Sequence, residues 1–133
     1  IRLDTRDYEL GVARAQAARA ALFYRVQQFF EQYDFMLLPV SQVVPFPLEQ
    51  EWVREINGQP MHTYIDWMQS CSFITLTEHP ALAVPCGFTA EGLPVGLQIV
   101  TRPGADRPAL ALGAALEAAQ PEVGAQRPPL PAQ

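Results

Sequence analysis

The sequence has no lysine: all nine basic residues among its 133 are arginine. Chemistry that needs a lysine amine must therefore draw it from another stretch of polypeptide. Serine is scarce, limited to Ser41, Ser70 and Ser72. Two cysteines, Cys71 and Cys86, are too few for a disulfide framework. They read as small, buried, free thiols of a cytoplasmic protein. Together with His62 and His79 they show no metal-ligand spacing. The eight glycines are scattered, so there is no glycine-rich phosphate loop. No apolar run approaches the roughly 18–20 residues of a membrane span, which argues against a membrane partner. The opening IRLDTRDYEL has neither an initiator Met nor a signal-peptide hydrophobic region. We therefore expect a chain that was processed, trimmed or cut from something longer.

What is present fits a globular protein. A hydrophobic share of 49% over 133 residues suffices for one domain with a core. The net charge of −5 argues against nucleic acid as a partner. Arginine is concentrated before residue 30, and Arg54 stands alone among eight acids over residues 31–91. This reads as solvated loops and helix faces.

Periodicity lays out the elements. Asp4-Thr5 is a helix N-cap signal. Tyr8, Val12, Ala15, Leu22, Val26, Phe29, Phe30 and Tyr33 follow helical spacing, so a helix is expected from Thr5 to Gln32. Phe35 to Leu38 is a continuous apolar run, read as a strand buried on both faces. Residues 41–60 carry Pro45, Pro47, Pro60 and Asn57-Gly58, a connection too irregular for one element. MHTYIDWMQSCSFITLT has an apolar or small residue on most helical faces and reads as a buried helix, ended at His79-Pro80. A β-hairpin follows: Ala81 to Phe88, a turn over Thr89 to Gly92, then Pro94 to Thr101. Pro85 donates no ladder hydrogen bond, so it requires a bulge, an edge or a strand end. Asp106 caps a last helix with an apolar stripe at Leu112, Ala115, Leu116 and Ala119. Residues 121–133 are a Pro-rich tail read as extended. The sum is an α/β piece with an incomplete sheet.

Few residues offer chemistry alone. Cys86 and His79 lie seven apart with nothing to orient the imidazole, and a packed cysteine is the better reading. Ser70 and Ser72 have no base at helical spacing. Asp66 stands out, because a charge in a buried helix must pair with an Arg or face a pocket beside Tyr64 and Trp67.

The hairpin carries a longer pattern. Pro80-Ala81, Pro85 and Gly87, then Gly92-Leu93-Pro94, Gly96 and Gln98, resemble the C-terminal hairpin of the amidase signature family. FFEQYDFMLLPVSQVVPFP is similar to that family's helix–YD–strand–Pro segment. The first helix and RPGADRPALALGAALE also fit, so the resemblance covers about the whole chain. YIDWM is similar to a segment of a subset of bacterial members. Many members have Asn-x-x-Gly before Pro-Ala, where this chain has Thr75 and Glu78.

The resemblance implies the C-terminal part of a larger mixed β-sheet flanked by helices, incomplete by itself. It implies hydrolysis of carboxamide C–N bonds by a Ser nucleophile, a bridging cis-Ser and a Lys base, with an oxyanion hole from a Gly/Ser-rich loop. No metal or organic cofactor is implied. None of that machinery lies in residues 1–133, so the isolated chain is expected to be inactive. Its partners would be the rest of an amidase polypeptide, or a partner chain carrying the catalytic core, together with a small-molecule amide substrate. Tyr64, Asp66, Trp67 and Cys71 are the substrate-pocket candidates, and the hairpin motif residues are scaffold. Two alternatives stand beside this reading: a standalone binding or assembly module, and one subunit of a split amidase.

Overall fold

In the computed structural model, residues 5–126 are described. The elements are α1 (Thr5–Phe29), β1 (Met36–Pro39), β2 (Glu55–Ile56), β3 (Gln59–Pro60), a 3-10 turn (Asp66–Met68), α2 (Gln69–Thr77), β4 (Ala81–Phe88), β5 (Pro94–Val100), α3 (Asp106–Ala119) and α4 (Pro121–Ala125). The main sheet is antiparallel with strand order β1-β5-β4.

α1 is a 25-residue helix, about 38 Å at 1.5 Å per residue. It ends three residues before the expected Gln32, where the amides of Gln32 and Tyr33 both return to the Phe29 carbonyl. Asp4, the expected cap, lies outside the described residues. The C-terminal part of α1 is the part that packs. Phe30, just beyond it, is buried and stacks on His79 at 5.3 Å, and Phe23 meets the same imidazole at 5.2 Å. His79 is thus held between two aromatic rings, with its Nδ1 2.6 Å from the Thr77 carbonyl. These contacts dock the C-terminal end of α1 on the connection between α2 and β4.

The doubly covered strand is β5, not β1. Ile99 and Val100 point to opposite faces and both have no exposed surface. β1 pairs only with β5, opposite Val100 through Leu97, and Leu37 is 52% exposed. The apolar run reads as a central strand because it lacks alternation. In the structure it is an edge strand whose second neighbour and cover are absent from the described residues.

The hairpin occupies its expected span, with β5 ending at Val100 rather than Thr101. Pro85 sits on the other edge strand, opposite Gly96, and the register slips between Pro85 and Gly87. Edge and bulge together accommodate the missing N–H. Gly87 takes φ 148 in that bulge and Gly92 takes φ 80 in the turn, where a Cβ would be strained. Pro94 opens β5, where a strand tolerates proline.

Four other expectations are corrected. The segment from Met61 to Thr77 is not one buried helix: it is a turn, a three-residue 3-10 element and a nine-residue helix. Only Thr77 of α2 is buried, and Phe73 is 55% exposed. Glu78 closes α2 at φ 57, a left-handed conformation that favours glycine, and its carboxylate pairs with Arg19 of α1. Asp106 is the first residue of α3 rather than its cap, which is Ala105. The buried stripe of α3 is Ala109 and Gly113, not the larger residues expected, because the helix lies very close to β4. Residues 121–125 form α4 instead of extended chain, and residues 127–133 lie outside the described residues.

Residues 41–60 hold an element that was not expected. Asn57 and Gly58 take φ 50 and 77 and join β2 to β3. Positive φ at both positions is what a two-residue hairpin turn demands, and Asn-Gly is its strongest signal.

Candidate functional site

A groove of about 490 Å³ opens where β1 ends and β5 begins. Its lining comes from residues 39–46, Trp67 and residues 94–96. The strand ends make its floor, tied by the Val40 amide donating to the Gly96 carbonyl at 3.2 Å. Gly96 lets the two strands close up there: a Cβ would lie 3.0 Å from Val40 Cγ2, which would have to give by a few tenths of an ångström. Pro39 ends the strand and turns the chain into the groove wall.

The second wall is Trp67. Its ring meets Phe46 edge-on at 5.4 Å, and Tyr64 edge-on at 5.7 Å. The Gln42 amide reaches across and donates to the carbonyls of Asp66 and Trp67. The Cys71 thiol donates to the Val40 carbonyl at 3.1 Å. Residues 47–65 therefore leave and return at a clasped base. Beyond the base this loop is held by itself. The Trp52 indole donates to the Met61 carbonyl at 3.1 Å, the Met61 amide donates to the Arg54 carbonyl, and Arg54 lies over the Trp52 ring at 3.5 Å.

Of the four residues expected at a substrate pocket, Trp67 lines the groove. Tyr64 packs on Trp67, and Cys71 fastens α2 to Val40. Asp66 does neither of the things expected of it. Among the described residues it pairs with no Arg, and its carboxylate accepts the Thr63 amide at 2.8 Å. That bond, followed by the Thr63 side chain, holds its pKa below the usual carboxylate value. The charge is not buried, because the helix around it is not.

Sequence reasoning missed the other wall, residues 40–46. The signal was a proline-terminated strand followed by a second Pro-rich stretch, which ties chain direction without forming an element. Four buried polar atoms have no partner among the described residues: Trp67 Nε1, Ser70 Oγ, His79 Nε2 and Gln98 Oε1. No group of three or more His, Cys, Asp or Glu able to hold a metal occurs among the described residues. Nor is any helix there long and apolar enough to cross a membrane.

An open antiparallel sheet with helices against it, and an apolar groove at its strand ends, fits part of an α/β enzyme domain. The family model Amidase matches residues 1–110, and the chain belongs to that family. It is 35% identical over 111 residues to a putative amidase of Synechocystis sp., covering 84% of this chain and 21% of that protein. It is 34% identical to an acylamidase of Rhodococcus erythropolis, covering 83% and 23%. To a glutamyl-tRNA(Gln) amidotransferase subunit of Chloroflexus aurantiacus it is 41% identical over 97 residues, covering 72% and 18%. The crystal structure of a bacterial aryl acylamidase of the amidase signature family superposes with TM-score 0.71 at 28% identity, covering 86% of this chain and 25% of that one. The chain thus spans about a fifth of the length of the curated relatives it matches.

Proposed function

We propose that this chain is the C-terminal segment of a cytoplasmic amidohydrolase, whose Ser–cis-Ser–Lys triad lies on polypeptide outside it. Within that enzyme the segment completes a larger sheet and supplies one wall of the substrate pocket, with Trp67 at its centre. By itself it does not hydrolyse amides. The observation that carries this reading is the unfinished sheet. An edge strand with Leu37 half exposed and a helix with Phe73 half exposed leave apolar surface that a finished domain covers. The small share of each relative that the chain spans points the same way.

The deciding measurement is the intact mass and chain composition of the protein purified from its source. A longer polypeptide, or a tightly held chain bearing lysine and a Gly/Ser-rich segment, supports the reading. A lone, monodisperse 14.7 kDa species that melts cooperatively favours a standalone module instead. In the complete enzyme, Trp67→Ala is expected to change kcat/KM among amide substrates by about tenfold, one indole wall being worth ~1–3 kcal/mol. The melting temperature should move little, because Trp67 is only partly buried. Loss of folding with unchanged preference would return Trp67 to a purely structural role.

A further inference from the structure

The main sheet has two open edges, and its register says which backbone groups each one offers. In an antiparallel ladder, hydrogen-bonded and non-bonded pairs alternate. The Val40 amide donates to the carbonyl of Gly96 opposite it, so Leu38 and Met36, at the same parity, also bond toward β5. Leu37 therefore turns its N–H and C=O outward, and Pro39 turns out a carbonyl but no N–H. On the far side, the Thr101 amide donates to the Pro80 carbonyl, so Leu82 and Val84 bond toward β5. The outward backbone groups of β4 then belong to Ala81, Ala83 and Pro85.

The two edges are not equivalent. Three features blunt β4: Pro85 withholds a donor, the bulge between Pro85 and Gly87 breaks the register, and α4 packs against the strand. β1 has only Pro39, at its last residue, and its register is regular. It is apolar throughout, with Leu37 52% exposed. The outward residues of β4 are alanines and a proline, with little side chain to cover. We propose that the sheet is extended at β1 and not at β4, by an extended apolar segment of the remaining polypeptide. That segment accepts from the Leu37 amide and donates to the Leu37 and Pro39 carbonyls. Donation from β1 stops at Pro39, where the chain turns into the groove wall. The chain spans about a fifth of the curated relatives it matches, so the remaining polypeptide is long enough to supply the strand. The inference rests on this segment belonging to a larger amidase, and adds the edge by which it joins.

Hydrogen–deuterium exchange of the protein as purified from its source, read amide by amide, tests this. The Leu37 amide is expected to exchange at least about tenfold more slowly than the Ala83 amide. Leu37→Pro removes the outward N–H and leaves the bonds to β5 in place; it should lower the melting temperature by about 2 °C or more. Ala83→Pro makes the same change on β4 and should leave the melting temperature nearly unchanged. A protected Ala83 amide, an unprotected Leu37 amide, or a larger loss from Ala83→Pro overturns the choice of edge; a longer or partnered polypeptide in the same preparation keeps the amidase reading. Both amides exchanging freely in a lone 14.7 kDa monomer overturn the inference and that reading together. Protection of Leu37 in a homodimer of this chain alone puts a second copy on the edge, and likewise overturns both.

Discussion

Gly113 packs α3 directly against Leu82 and Val84 of β4, and its replacement probes that packing. A Cβ at this position would lie 2.8 Å from Leu82 Cδ2 and 3.3 Å from Val84 Cγ1. Leu82 has a rotatable end that could swing away. Val84 does not: it is 6% exposed and branched at Cβ, so its rotamer is fixed by the strand. Two effects oppose each other in Gly113→Ala. Alanine gains about 1 kcal/mol of helix propensity over glycine. Over-packing a close contact costs about 1–3 kcal/mol. The clash is expected to win, leaving a net loss of about 1 kcal/mol. Urea unfolding of the purified protein would read this as a lower midpoint at unchanged slope. In a Val84→Ala background the unyielding atom is gone, and the same substitution should become neutral or stabilising. The cycle therefore predicts a coupling of about 1 kcal/mol or more. If Gly113→Ala stabilises equally in both backgrounds, α3 does not lie as close to β4 as described, and the reasoning fails.

Two further substitutions have clear signs. Glu78 pays the cost of a left-handed residue, about 1–2 kcal/mol, for an ion pair with half-exposed Arg19 worth about 0–1 kcal/mol. Glu78→Gly should therefore leave stability unchanged or raise it by about 1 kcal/mol, measured by thermal melting, and a drop larger than that refutes the balance. Asp66 has a lowered pKa because the folded state binds its anionic form through the Thr63 amide. Its contribution is present above the unfolded value near pH 4 and is lost as pH falls through the lower folded value. Stability of the parent should thus decline more between pH 5 and 3 than that of Asp66→Asn; parallel pH profiles would show that the turn does not depend on the charge.

The hairpin was legible because turn chemistry and proline placement are local. Pro85 and Pro94 restrict the backbone, while Gly87 and Gly92 permit the positive φ that the bulge and the turn require. β1 is an uncovered edge among residues 5–126, as an incomplete sheet leaves it, and the run MLLP looks the same whether covered or not. The helix through Asp66 was misread for a related reason. Two overlapping apolar stripes can mean burial on all sides, or surface that awaits a partner, and only the neighbours decide. Asp66 then lost both roles expected of it once its surroundings proved open. Trp67 drew attention because an aromatic beside polar groups is conspicuous, and it lines the groove; Val40 and Gly96 did not, since their part in the groove arises from strand pairing 56 residues apart. Gly113 was passed over in favour of leucines, although a glycine inside a helix signals close approach to something else.

The clasp of Gln42 on the Trp67 carbonyl separates two design problems. The groove is fixed by residues on either side of the clasp, while residues 47–65 form a closed excursion with their own internal bonds. Doubling the length of such an excursion costs only about 0.6 kcal/mol in closure entropy. Insertions, deletions and new hairpins can therefore accumulate in it while the wall behind Trp67 stays where it is. Evolution can redecorate the entrance of the site without renegotiating the fold, which makes this stretch the natural place to graft new recognition onto an old scaffold.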